Sequence, residues 1–369
     1  MAKLGEVATY INGYAFKPED WSDKGRPIIR IQNLTGSSAN INRYDGEIAS
    51  KYEVNDGDVL ISWSASLGVY VWHGEQAVLN QHIFKVAFDK EDVSKKFFVY
   101  QVESILEKAA NEAHGATMKH LTKKVFDNLP FYLPSREEQE RIASKLEKVS
   151  QLIDSRKKQI EKLDELVKSR FIEMFENKNY QIEKLGAVCR KITDGTHKTP
   201  TYLDEGITFI SAKNIVNGEL DFTNIKHISE EEYQEIQKRC QTDIFDILLS
   251  KSGSLGAPVI VKTKEKLGLF ESLAVLKYDR DRLLPEFLCE QLKMDSVQRQ
   301  FKTGTKGVAI KHLHLGVIAD TDIIVPPLNE QKTFAAFVAQ VDKSKLVAQR
   351  GVVGRFFHKR DSLHRIYLQ

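Results

Sequence analysis

The segment TDGTHKTP (Thr193 to Pro200) gathers Thr196, His197 and Lys198 between an Asp-Gly turn and a proline. These side chains offer donors, acceptors and positive charge from a stiff loop. That equips them to hold a polar or anionic surface rather than to break bonds. The same chemistry recurs along the chain. Arg30, Gln32 and Asn33 follow one strand-like run, and Lys213 and Asn214 follow another. Lys251 stands in SKSGSLG, and Lys306 and Lys311 stand in GTKGVAIKH, where glycines let backbone come close to an anion. Lys17 in INGYAFKP and Lys119 and His120 in GATMKHL occupy the corresponding places earlier in the chain.

Catalysis finds no such support. No G-x-x-x-x-G-K-[ST] phosphate loop is present, so nothing points to a nucleotide-driven motor. NLPF (Asn128 to Phe131) has the outline of the Asn-Pro-Pro-Phe motif of amino-methyltransferases. Leu129 replaces its first proline, however, and no glycine-rich loop for S-adenosylmethionine accompanies it. It reads instead as the last strand of a domain. His312 and His314 lack the further ligand spacing a metal needs. Cys189, Cys240 and Cys289 are odd in number and far apart, which suits buried or idle thiols in a reducing compartment. The expectation is a chain without catalytic groups, metal or cofactor of its own.

Composition sets the frame. With 41% hydrophobic and 28% charged residues, the 369-residue chain has room for two ordinary domains. No run of 18 apolar residues occurs, and MAKLGEVATY lacks the apolar stretch of a secretory signal, so a cytoplasmic protein without membrane contact is expected. A net charge of +3 and a pI near 8.5 permit a nucleic-acid partner without demanding one.

The elements that carry the polar loops occur twice. KLGEVATYI is answered by KLGAVCRKI, GRPIIRIQNLTG by GITFISAKNIVNG, LISWSASLG by LLSKSGSLG, and GATMKHL by GVAIKHL. The order is the same, and the offset drifts from 181 to 192 positions, as loop insertions cause. Short β-branched runs bounded by Gly, Asp and Asn predict strands, among them PIIRIQNL, DVLISW, GVYVWH and IFKVAF, then ITFISAK, DILLS, PVIVK and LAVLKY. SKKFFVYQVESILEKAANE and LPEFLCEQLKMDSVQRQF turn to helical spacing. Each copy is therefore α+β.

A Pro-x-x-x-Glu-Gln junction closes each copy, with Pro134, Glu138 and Gln139 matched 192 positions on by Pro326, Glu330 and Gln331. Ser135 and Glu138 form a capping-box signature, and no Gly or Pro follows until after Glu176, which predicts a helix of roughly 60 Å. Alternating steps of four and three from Ile142 visit Leu146, Val149, Ile153, Arg156, Ile160, Leu163, Val167, Arg170 and Met174, a coiled-coil seam. Ten basic and ten acidic residues between Arg136 and Glu176 make its remaining surface a solvated flank rather than a phosphate clamp. Phe334, Val338, Val341, Lys345 and Ala348 repeat the rhythm, so the two helices are expected to pair antiparallel.

With its two junctions, the Gly-x-x-x-Lys-His-Leu segments before them and ITDGTHKTP, the chain resembles the specificity subunit of type I restriction-modification enzymes over residues 1 to about 350. The resemblance implies an α+β protein with two similar mixed α/β target recognition domains, separated by long antiparallel coiled-coil helices in pseudo-two-fold arrangement. The boundaries read as 1–134 for the first recognition domain, 135–178 for a spacer helix, 179–326 for the second domain, 327–350 for a second helix and 351–369 for an atypical tail. That tail contains Gly351 and Gly354 and does not match IEKLDELVKSRFIEMF of the first helix.

The resemblance further implies that each domain reads half of a split, asymmetric site in double-stranded DNA. Asn33, Asn214 and Gln32 would suit adenine edges; Lys17, Arg30, Lys119, Lys198, Lys213, Lys251, Lys306 and Lys311 would suit guanine or phosphate, with Thr196, His197 and His120 beside them. Glu138, Gln139, Ile142, Leu146, Val149, Ile153, Ile160, Leu163, Val167, Glu330, Gln331, Phe334, Val338 and Val341 would form the helix pair and dock two methyltransferase subunits. Restriction subunits would join through the complex, and S-adenosylmethionine, ATP and magnesium would sit on those partners. A coiled-coil scaffold bearing two protein-binding domains is the competing reading.

Overall fold

In each half of the chain, the β-branched runs build the same antiparallel sheet. The computed structural model describes residues 1–64, 66–112, 122–176, 178–304 and 312–367. The first sheet runs Thr9–Asn12, Ile83–Ala87, Val59–Ser62, Gly68–Val71; its counterpart runs Cys189–Asp194, Leu273–Tyr278, Ile247–Ser250, Pro258–Ile260. Neighbours are antiparallel throughout. Val59–Ser62 and Ile247–Ser250 are buried at every residue, which is why they read as unbroken runs rather than alternating ones. A second sheet in each half centres on a parallel pair, Arg26–Ile29 beside Ala77–Leu79 and Ile207–Ile210 beside Leu267–Leu269. Ala2–Lys3 pairs with Pro130–Phe131 and Ile182–Lys184 with Asp322–Ile324. NLPF is thus the closing strand, with Phe131 fully buried.

Two predicted strands stop early. Ile31–Leu34 and Ala212–Asn214 are short helical turns, because Asn33 and Asn214 reach back to cap them. The late helices form as Lys95–Glu112 and as a pair, Pro285–Lys293 and Asp295–Gly304. The second half also carries a helix, Glu230–Arg239, where the first has only the 3-10 turn Ser50–Tyr52. This insertion accounts for part of the offset drift.

Packing divides the chain into residues 1–156 with 350–369, and residues 157–349. The division falls inside the first long helix, Arg136–Phe171, which ends in a π-helical turn, Ile172–Glu176. Its opening residues Ile142 and Ala143 join the first unit's core, and Val167, Phe171 and Phe175 join the second's. Ser135 caps it, accepting the Glu138 N–H at 3.4 Å. Glu138 itself turns to Arg141 (2.7 Å), so the reciprocal half of the capping box is not made.

The second long helix runs Leu328–Tyr367, past the expected end at 350 and through the segment read as an atypical tail. Gly351 and Gly354 each cost about 1 kcal/mol against alanine, but no proline follows to stop the helix. Within the second unit the two helices pair antiparallel. Phe171 meets Phe334 with ring centroids 5.6 Å apart, while Asp164, a turn or two earlier, meets Lys345 (2.7 Å), further along the partner helix. Phe175 and Phe287 complete that aromatic cluster.

The duplicated junction has a structural purpose in both units. Gln139 is 1% exposed; it accepts the Ser94 N–H (2.8 Å) and donates to Pro134 O (2.9 Å) and Asp92 O (3.4 Å). Gln331, fully buried, accepts the Leu284 N–H (2.9 Å) and donates to Pro326 O (2.7 Å) and Arg282 O (2.8 Å). Each carboxamide ties the start of a long helix to the domain before it. These two glutamines are internal locks, not part of a docking surface.

Candidate nucleic-acid interface

The polar loops leave the first sheet of each unit at equivalent points, after Asn12 and after Asp194. The glycine that follows is demanded by proximity: a Cβ would lie 2.0 Å from Asn80 O at Gly13 and 2.1 Å from Leu269 O at Gly195. Neither has positive φ, so the turn expected at Asp194-Gly195 is a close strand approach instead. The buried serines of the repeated LIS and LLS runs, Ser62 and Ser250, donate to Ser66 O and Ser254 O and fix the next turn in both units.

On this shared backbone the two units place different chemistry. Asp194 is 2% exposed and accepts from Lys251 Nζ, itself 3% exposed, and from Arg239 Nη2. Burial pushes the Asp194 carboxyl up, but the Lys251 and Arg239 hydrogen bonds outweigh it and hold it below the usual carboxylate range. His197 lies over this pair, with Nε2 3.2 Å from Arg239 Nη2 and 3.3 Å from Asp194, and Nδ1 2.6 Å from Glu271. With Nδ1 donating to Glu271, Nε2 keeps a lone pair to accept from Arg239. His312 borders the group; burial first and the Lys251 charge second hold its ring below the usual imidazole value.

In the first unit, Asn12 Oδ1 accepts the Trp63 indole N–H at 3.3 Å. Trp63 stacks on Phe84 (5.6 Å between centroids) and sets an edge against His82 (5.0 Å). Tyr14, 41% exposed, packs edge-on against Phe16 (4.9 Å) and Tyr52 (5.6 Å). Aromatic rings thus stand where the second unit has charges.

The sequence-derived candidates divide accordingly. Lys251, expected beside phosphate, is instead buried in an ion pair, because Asp194 has no water to solvate it. Asn33 and Asn214, expected at adenine edges, are occupied with backbone. Asn33 accepts the Arg30 N–H (3.1 Å) and donates to Asn40 O (3.0 Å). Asn214, 9% exposed, accepts the Ser211 N–H (3.0 Å) and donates to Asp221 O (3.2 Å). The Arg30 guanidinium lies 4.6 Å from the Trp21 ring centroid, and Gln32 is half-buried. Thr196 shapes its loop, accepting the Lys198 N–H at 3.1 Å. Lys17, Lys198 and Lys213 are exposed, and His197 is half-exposed. Lys119, His120, Lys306 and Lys311 lie outside the described residues. Arg239, Glu271, Trp21 and Tyr52 were not anticipated; the only sequence signal for Arg239 is the offset drift that marks its helix as an insertion.

On the long helices the seam residues turn inward. Leu146, Ile153, Val167, Phe334, Val338 and Val341 are buried, and Ile142, Val149, Ile160 and Leu163 are half-buried. Glu138 pairs with Arg141, and Glu330 accepts from Lys178 (2.7 Å) and the Tyr180 hydroxyl (2.6 Å). Among the residues whose burial is described, the large apolar side chains left to solvent there are Leu152, Leu166, Ile172, Leu346 and Val347. Burial pushes all three cysteine thiols up to about 12, so they stay protonated. Among the described residues, no cluster of three His, Cys, Asp or Glu is placed to hold a metal, and no helix is long and apolar enough to cross a membrane.

The family model of the type I restriction modification DNA specificity domain matches the chain twice, at residues 1–165 and 177–350. The chain belongs to that family. It is 25% identical to the type I restriction enzyme EcoBI specificity subunit of Escherichia coli, across 92% of this chain and 78% of that one. It is 21% identical to the type I restriction enzyme MjaVIII specificity subunit of Methanocaldococcus jannaschii, across 78% and 73%. A solved chain from work on complex assembly and conformational transition of the type I R-M system shares its fold with a TM-score of 0.54, at 15% identity over 99% of this chain and 96% of that one.

Proposed function

We propose that the chain is the DNA-reading subunit of a type I restriction-modification complex, each unit reading one half of an asymmetric, split site in double-stranded DNA. The observation that carries this reading is the equivalent loop on two copies of one backbone, furnished with Asn12, Tyr14 and Trp63 in one and Asp194, His197, Arg239 and Lys251 in the other. Two identical loops would read a repeated half-site; two unlike loops suit unlike half-sites. The exposed apolar residues of the long helices, Leu152, Leu166, Leu346 and Val347, are the docking points for two methyltransferase subunits. Restriction subunits join through that complex. S-adenosylmethionine, ATP and magnesium belong to those partners, which perform the adenine methylation and cleavage that this chain directs.

Co-expression with a neighbouring or related type I methyltransferase subunit, followed by mapping of methyl-adenine in host DNA, tests the reading. A split motif with two unlike halves is the expected result. Neither methylation nor co-purification would favour the scaffold alternative.

A further inference from the structure

We propose that each unit carries one DNA-phosphate contact built on the same plan, a cation backed by an exposed aromatic ring: Arg30 on Trp21 in the first unit and Lys226 on Tyr202 in the second. This rests on the DNA-reading function above and deepens it.

The two rings occupy one place in the repeat. WSDKG (Trp21 to Gly25) is answered by YLDEG (Tyr202 to Gly206), 181 positions on. The residue after each ring makes the same backbone bond, Ser22 N–H to Arg43 O and Leu203 N–H to His227 O, both at 2.9 Å. Each ring follows closely on the loop that leaves the first sheet, and each meets water, Trp21 at 40% exposed and Tyr202 at 47%. The Arg30 guanidinium lies 4.6 Å from the Trp21 centroid, and Lys226 Nζ lies 5.7 Å from that of Tyr202. Arg30 also stands beside the polar loop: Ile29 O accepts the Asn80 N–H at 3.1 Å, and Asn80 bridges to Tyr14.

Neither cation is spent inside the chain. Among the described residues, the side chains of Arg30 and Lys226 make no hydrogen bond and no ion pair; the ring is the partner of each. Arg30 is half-buried, and its Nε is enclosed without an acceptor. A charge so placed calls for an anion from outside, and the ring holds the cation in position while leaving its donors free.

The repeat favours phosphate over a base edge. The repeat counterpart of Arg30 is Ser211, and the cation of the second unit comes instead from the strand Lys226–Ile228. The residue and its origin change between the units, but a positive charge stays on the ring. A base-reading group would vary with the half-site; a charge kept on both units suits what every half-site shares, the backbone.

The test measures DNA binding by the assembled complex over a salt series for the native chain, Arg30→Gln, Lys226→Gln and the double variant. Lys184→Gln, which removes an exposed lysine already paired with Asp322, is the control. An unchanged melting temperature and retained co-purification establish that the variants fold. Each single variant is expected to weaken binding to cognate and unrelated duplexes alike. The slope of log affinity against log salt should become shallower by about 1 for each and by about 2 for the double variant, with the methyl-adenine motif unchanged. Arg30→Lys, which keeps the charge, should keep the native slope. A native slope in either single variant would overturn the proposal, as would an equal change in Lys184→Gln. Relaxation of one base position in the motif would mean a base contact and overturn it too. A native complex that methylates no defined motif would instead count against the DNA-reading function itself.

Discussion

The two units share a backbone and differ in the groups they place at the base of the polar loop that leaves the first sheet. In the first, Asn12 and Trp63 make a neutral hydrogen bond beside stacked rings; in the second, Asp194 and Lys251 make an ion pair closed off from water. The strand order, the close-approach glycine, the turn serine and the glutamine lock are common to both. The scaffold therefore tolerates exchange of the group beneath the loop while the loop's exit from the sheet stays fixed. A recognition protein needs that separation: specificity can change without rebuilding the fold.

Lys251→Met should separate the two units most. It leaves Asp194 buried with only the half-exposed Arg239, and should cost about 3–5 kcal/mol in chemical denaturation. Asn12→Ala, at the same place in the first unit, removes one partly solvated hydrogen bond and should cost about 0.5–1.5 kcal/mol. Equal losses would show that the buried charge has no special weight.

The glutamine locks come next. Gln331→Ala strands the Leu284 N–H and two carbonyls and should cost about 1–3 kcal/mol; Gln139→Ala, whose third bond is long at 3.4 Å, should cost less. The same denaturation curves decide the order.

Acid should separate the units as well. Because Asp194 titrates below its unfolded value, its stabilisation is complete above the ordinary carboxylate range and is lost as pH falls through the lowered folded value. Asp194→Asn should thus be less stable than the native chain at neutral pH, with the gap narrowing in acid. Asn12→Ala should show a gap independent of pH. Smallest of all, Asp164→Ala removes an exposed partner of Lys345 and should cost about 0.2–1 kcal/mol.

Much of this fold was legible in the sequence because the repeat could be checked against itself. Strands such as Val59–Ser62 and Ile247–Ser250 announced themselves by unbroken apolar runs, and the seam from Ile142 to Met174 by its spacing. The junction was visible, but not the reason for it, since nothing local says that Gln139 points back to Ser94, 45 positions earlier. The site was less legible. Residue type suggested that Asn214 and Lys251 face a ligand, whereas their surroundings turn them inward. Arg239 was hidden because the carboxylate that fixes it lies 45 residues away. Gly351 and Gly354 suggest that the second helix ends near 350, because glycine weakens a helix; with no proline after them, the helix runs on to Tyr367.

Under the proposed function, one scaffold carries two independent readers. The most direct measurement maps the methyl-adenine motif of the assembled complex for the native chain, for Tyr14→Ala and for Arg239→Ala. Each substitution is expected to alter one half of a split motif, a different half for each, and to leave the other intact. Changes in both halves from either substitution, or in the same half from both, would contradict it.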